Sequence, residues 1–174
     1  MMKTGIFAGS LDPVTEGHLY CIREACALVD RLVIAIGVNP EKKPYFPARE
    51  RQQLLTEVLR SELSPEDFAR TEIAFIEHDL LVHFAVKVGA TFLFRGIRNS
   101  KDYEYEKGMA ALNARLEPSV HTVFIPTPAK YAEVSSSMVK GLVGFNEWEH
   151  AVEGWIHPVV LAAFKARVDV SRDA

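Results

Sequence analysis

A chain of 174 residues is long enough to bury one substantial core and short for two, and 48% apolar with 25% charged residues is ordinary globular composition. A net charge of −3 argues against general nucleic-acid binding, which favours a basic face, so any polyanionic ligand must be held by locally clustered cations. No apolar run approaches membrane-spanning length and the N-terminus lacks the basic, apolar and cleavage regions of a signal peptide, which points to a cytoplasmic protein.

Residues 5–8 read as a short apolar strand, followed by the run Gly9-Ser10-Leu11-Asp12-Pro13-Val14-Thr15-Glu16-Gly17-His18. Gly9 permits a tight turn, Pro13 bars regular helix just before Thr15, and Thr15 is a good N-cap for an amphipathic helix over 19–28. Cys21 and Cys26 fall on that helix, too far apart to bridge, and Cys26 shares the apolar face of Leu19, Ile22 and Val29. Residues 32–38 are almost continuously apolar, as in a strand buried on both faces. A Pro/Lys-rich loop leads to a helix over 49–63 with Leu54, Leu55, Val58 and Leu59 as its stripe. Then come a strand over 73–76, a helix carrying Leu81, Phe84, Ala85 and Val88, and a strand over 91–94. A helix over 103–116, a strand over 120–125, a helix from Ser135 to about 143 and a last helix over 158–168 complete the pattern, with residues 169–174 polar and expected to fray. Alternating β and α elements imply an α/β fold: one domain over 1–174, with a doubly wound, Rossmann-like, five-stranded parallel sheet covered by helices on both faces.

Ligands in such sheets bind beyond the carboxyl ends of the strands. The notable polar residues follow strands: Ser10 and His18 after the first, Lys42 after the second, Asp79 and Leu81 after the third, Arg95 and Arg98 after the fourth, and Ser135, Ser136 and Ser137 after the fifth. His18 projects where backbone N–H groups and a helix dipole favour anions. Lys42 is a flexible point charge suited to a moving phosphate, and otherwise a solvated lysine of a surface loop. Arg95-Gly96-Ile97-Arg98 offers planar forks for bidentate phosphate contact, although either arginine could instead pair with Glu104 or Glu106. Three successive serines exceed what capping a helix requires, and their hydroxyl and N–H groups could cradle a triphosphate. No Cys/His cluster has metal-ligand spacing.

Taken in order, GSLDPVTEGH, NPEKKP, HDLLVHFA, RGIRNSKDYEYE and YAEVSSSMVK resemble the landmarks of the bacterial phosphopantetheine adenylyltransferases, over roughly residues 3–143. Thr15 and His18 stand in the two variable-fixed positions of the T/HxGH signature of nucleotidyltransferases. Related cytidylyltransferases share that first motif but lack the RG-x-R pairing. The resemblance implies transfer of the adenylyl group of ATP to 4′-phosphopantetheine, giving dephospho-coenzyme A and pyrophosphate by in-line attack without a covalent enzyme intermediate. It implies that His18, protonated against the triphosphate, stabilises charge at the α-phosphate, with Lys42 and Ser10 holding the attacking phosphate. Arg95 and Leu81 would bind the phosphopantetheine side. Ser10, Leu11, His18, Gly96, Ile97, Arg98, Glu106, Tyr131, Ala132, Glu133, Val134, Ser135, Ser136 and Ser137 would form the ATP site. Mg2+ would arrive on the ATP phosphates rather than in a protein cage. A homohexamer, and coenzyme A as a candidate feedback ligand, also follow from the resemblance, whereas nucleic acid and membrane do not. The chain departs from the family at Ser10, usually threonine; at Leu11, usually phenylalanine; at Val134, usually isoleucine; and in a longer segment between Arg49 and Asp79. The stretch after Gly144 matches the family poorly.

Overall fold

The computed structural model describes residues 2–39, 41 and 43–172. Its five strands are β1 (Thr4–Gly9), β2 (Arg31–Val38), β3 (Thr71–Glu77), β4 (Phe92–Ile97) and β5 (His121–Pro126), all parallel, in the order β3-β2-β1-β4-β5. The order reverses between β1 and β4, so the crevice of a doubly wound sheet falls between those two strands. β1 pairs with β2 from Thr4–Arg31 to Gly9–Ile36, but with β4 only from Gly5–Phe92 to Phe7–Phe94. Beyond Phe7 the two central strands part.

Alternation along the strands sends side chains to two cores. On one face Phe7, Leu32, Ile34 and Phe94 pack against α1 (Glu16–Leu28), α2 (Ala48–Glu62) and α8 (Pro158–Arg172). On the other, Ile6, Val33 and Leu93 pack against α4 (Leu81–Lys87), with α5 (Ser100–Leu116) beside β4 and β5. The remaining elements are α3 (Pro65–Ala69), a 3-10 turn (Ala129–Tyr131), α6 (Ser136–Leu142) and α7 (Trp148–Ala151).

Three elements differ from expectation for identifiable reasons. The extra length between Arg49 and Asp79 includes α3, which Ser64 starts by accepting the Asp67 N–H at 3.1 Å, with Pro65 in its first turn. Arg70 behind it donates to the carbonyls of Val29 and Cys26, tying the insertion to the end of α1. The poorly matched C-terminal stretch is core: Trp148, Val152, Ile156, Val160 and Phe164 are all buried with α1 and α2. The Trp155 carbonyl accepts the Glu16 N–H at 2.9 Å, filling one of the donors left open at the start of α1. Helix α8 runs on to Arg172, past the point where fraying was expected, and positions 173–174 lie outside the described residues.

Candidate functional site

Where β1 and β4 part, a cavity of about 290 Å³ opens at the sheet's carboxyl edge. The ends of both strands form its floor, through Phe7, Ala8, Gly9, Arg95 and Gly96. The first turn of α1 and the start of α6 wall it with Gly17, His18 and the three serines 135–137, and Ser10, Arg98 and Glu106 complete the polar lining. Sequence reading had Arg95 and Gly96 in a loop after the fourth strand. They belong to β4, where they register with Phe124 and Ile125 of β5.

The Arg95 guanidinium spans the gap between the parted strands. Its Nη1 donates to the Ala8 carbonyl at 2.8 Å, while Nε and Nη2 form a two-point pair with Glu106 at 2.8 and 2.5 Å. Of the two partners the sequence left open for Arg95, the structure selects Glu106, and that carboxylate is spent on the arginine. Arg98 makes a second fork, to Asp102 at 2.8 and 3.1 Å, and reaches the Val134 carbonyl at 3.3 Å. The two arginines thus leave one strand end in different directions, each held by its own acid.

Gly96 is required sterically: a Cβ there would sit 2.7 Å from the Cys21 sulfur of α1, which itself lines the cavity. Cys21 lies three residues after His18, on the same helical face, a spacing that could have flagged it as lining the site. Burial pushes its thiol up to about 12, so it serves as packing and not as a nucleophile. Thr127 and Asp102 are further lining residues that sequence reading did not single out.

His18 is partly buried, and in the unliganded site burial, reinforced by the charges of Arg98 and Arg95, draws its pKa down to about 4. The Thr15 backbone N–H donates to its Nδ1 at 3.1 Å, so in the unliganded site the proton sits on Nε2. In the unliganded site His18 is therefore a neutral N–H donor, oriented by the residue that starts its helix, and the expected protonation is a matter of the triphosphate-bound state. The Thr15–His18 tie also explains why α1 begins at Glu16, three residues ahead of the expected start. Nuclear magnetic resonance titration of the unliganded protein should show His18 neutral down to about pH 4. The unfolded chain takes up that proton near pH 6.5, so stability rises with pH from about 4 to 6.5 and carries the full contribution above it. A His18 titrating at 6.5 in the folded state would contradict this assignment.

The serines divide their labour. Ser135 is the N-cap of α6, accepting the Met138 N–H at 3.1 Å, as an ordinary helix start requires. Ser136 donates to the Pro13 carbonyl at 2.7 Å, holding α6 against the turn after β1. Ser137 lines the cavity, and no hydrogen bond of its hydroxyl occurs among the described residues. Asp12 accepts the N–H groups of Tyr45 and Phe46 at 2.9 and 2.8 Å and pairs with Lys140 at 2.9 Å. These bonds outweigh its burial and hold its carboxyl below the usual range.

Other expected residues lie off the cavity. Leu11 has a buried side chain, so any contact with a ligand there goes through its backbone. Ile97 ends β4, and Tyr131 packs beside Tyr20 and Gly17. Ala132 and Glu133 do not line the cavity, although Glu133 acts on Arg98 through its charge. Lys42 lies outside the described residues. Leu81 lines a second cavity of about 130 Å³, with Leu80, Leu93, Met109, Leu112 and Asn113. Arg95 and Glu106 line both cavities, so the polar site and the apolar one meet at that ion pair.

Among the described residues no group of three or more His, Cys, Asp or Glu could hold a metal ion. No described helix is long and apolar enough to cross a membrane.

The cytidylyltransferase-like family model matches residues 6–142. Phosphopantetheine adenylyltransferase of Chromobacterium violaceum is 45% identical over 155 residues, 89% of this chain and 91% of that protein. The protein of the same name from Neisseria meningitidis is 42% identical, over 91% of this chain and 89% of its own length. Among solved structures, nicotinic acid mononucleotide adenylyltransferase of Plasmodium falciparum in complex with NaAD superposes with a TM-score of 0.68. It covers 96% of each chain at 14% identity, which speaks for the fold alone.

Proposed function

Because the chain belongs to the phosphopantetheine adenylyltransferase family, we propose that it transfers the adenylyl group of ATP to 4′-phosphopantetheine, releasing dephospho-coenzyme A and pyrophosphate. One observation carries the reading beyond the resemblance: a cation-lined polar cavity adjoins an apolar one, with Arg95 between them. A polyphosphate suits the first, and a phosphate on a long, weakly polar arm suits the junction and the second.

A phosphate oxygen of the acceptor attacks the α-phosphorus in line, and pyrophosphate leaves on the opposite side. Positioning and charge neutralisation then supply most of the acceleration. Arg95 holds the acceptor phosphate at the junction while Leu81 and its neighbours take the arm. Ser10 and Lys42 contribute to the same phosphate, and Arg98 faces the nucleotide from the α6 side. The Nε2–H of His18 donates to the α-phosphate, whose equatorial oxygens gain charge as attack proceeds. Mg2+ travels on the ATP phosphates, since the carboxylates beside the cavity, Asp102 and Glu106, are engaged by arginines. The same resemblance supports the proposal of a cytoplasmic homohexamer, with coenzyme A as a candidate feedback ligand.

With Mg-ATP, the protein should release pyrophosphate when given 4′-phosphopantetheine and not when given nicotinamide mononucleotide or glycerol 3-phosphate. Comparable turnover with nicotinamide mononucleotide would reassign it to the enzymes whose fold it shares.

A further inference from the structure

Arg51, in the first turn of α2, is 4% exposed and does not line the cavity. Burial disfavours its charge, Asp12 acts on it only through its field and not as an ion pair among the described residues, and its buried Nε has no hydrogen-bond partner. A buried guanidinium in that condition is costly and calls for an explanation. What it does engage is informative. One terminal nitrogen donates to the Ser10 carbonyl and, at 3.1 Å, to the Gly37 carbonyl, joining the last turn of β1 to the end of β2.

The next residue, Leu11, has φ of 46°, in the left-handed region that a leucine rarely adopts. Such strain persists only where the surroundings over-determine it. Rotating the peptide between Ser10 and Leu11 would relax it, and the Arg51 bond to the Ser10 carbonyl opposes that rotation. A planar trans peptide points its carbonyl and the following N–H in opposite directions. With the Ser10 carbonyl fixed toward buried Arg51, the Leu11 N–H faces away from Arg51, and it has no backbone partner among the described residues.

We propose that Arg51 is a positioning residue for the phosphate-binding turn. By holding the Ser10 carbonyl out of the cavity, it presents the Leu11 N–H and the Ser10 hydroxyl to a phosphate oxygen. Without it the peptide turns over and a carbonyl oxygen faces the anion. The role in turnover rests on the adenylyl-transfer reading; the capture of a phosphate does not.

The probe is inorganic pyrophosphate with Mg2+, titrated calorimetrically and followed by amide resonances. In the unaltered protein the Leu11 amide should shift on pyrophosphate addition. Arg51→Met, which keeps most of the volume and removes the donors, should weaken pyrophosphate binding about tenfold or more, and Arg51→Lys should fall between the two. Undiminished pyrophosphate affinity in Arg51→Met would overturn the proposal and leave Arg51 as core filling. Should that variant not fold, a Leu11 amide unmoved by pyrophosphate in the unaltered protein overturns it equally, and a shifted one supports it. Pyrophosphate binding with the Leu11 shift but no turnover of phosphopantetheine would refute the adenylyl-transfer reading while leaving the clamp intact.

Discussion

Replacing His18 with alanine is expected to lower kcat by about 10²–10³-fold, the usual effect of deleting one preorganised donor aimed at developing charge. ATP affinity should change much less, because the donor is needed most when the α-phosphorus becomes five-coordinate. The unliganded structure shows why the effect should be large. Burial, reinforced by the charges of Arg98 and Arg95, disfavours a second proton on the ring, and Thr15 occupies its Nδ1, so the Nε2–H is presented before substrate arrives. His18→Gln tests geometry, since it keeps an N–H donor without the orientation imposed by Thr15; it should recover little. Steady-state kinetics and a melting curve for each variant decide the matter. An unchanged kcat would reduce His18 to a helix-start residue.

Phe164→Ala is expected to be the most damaging substitution for stability. The ring is fully buried and lies 4.8 Å, centroid to centroid, from both Tyr45 and Phe46, and 6.1 Å from Trp148. Deleting a buried phenylalanine typically costs about 3–5 kcal/mol. For a chain of this size that corresponds to a melting temperature lower by roughly 10 °C. The same helix carries Arg167, which donates to the Tyr45 carbonyl at 3.0 Å, pairs with Glu50 and lies over the Phe46 ring at 4.8 Å. Tyr45 and Phe46 are in turn held through their N–H groups by Asp12 in the turn after β1. The C-terminal helix is therefore joined to the site by two short links. A loss below about 1 kcal/mol, the range of ordinary surface changes, would show that α8 is not integral to the core.

The strands were legible because buried parallel strands are nearly continuous apolar runs, and β2 is the clearest instance. The end of β4 was not. Arginine and glycine are poor strand formers, so the expected strand stopped at Phe94, whereas pairing with β5 carries the backbone through to Ile97. That shift changes where Arg95 is anchored but not which cavity it serves. Helix α3 had a readable start in Ser64-Pro65 that the dominant stripe of α2 obscured. The protonation of His18 lay beyond the sequence because its causes, burial in the folded site and the charges of Arg98 and Arg95 some eighty residues along the chain, come together only on folding. Arg51 was hidden differently. In sequence it is one more charged residue at a helix start, and only the turn of β1 above it shows why it is buried.

The short pairing between β1 and β4 has a mechanical consequence. Three strands lie on one side of that seam and two on the other, and the ladder across it ends at Phe7 and Phe94. Past that point the seam is spanned by the Arg95 bond to Ala8 and by α1 crossing beneath with Cys21 against Gly96. A small twist about the seam would change the width of the crevice without breaking a single strand pairing. A molecule wedged there acts as a rivet between the two halves of the sheet, so saturation should stiffen the whole body rather than one loop.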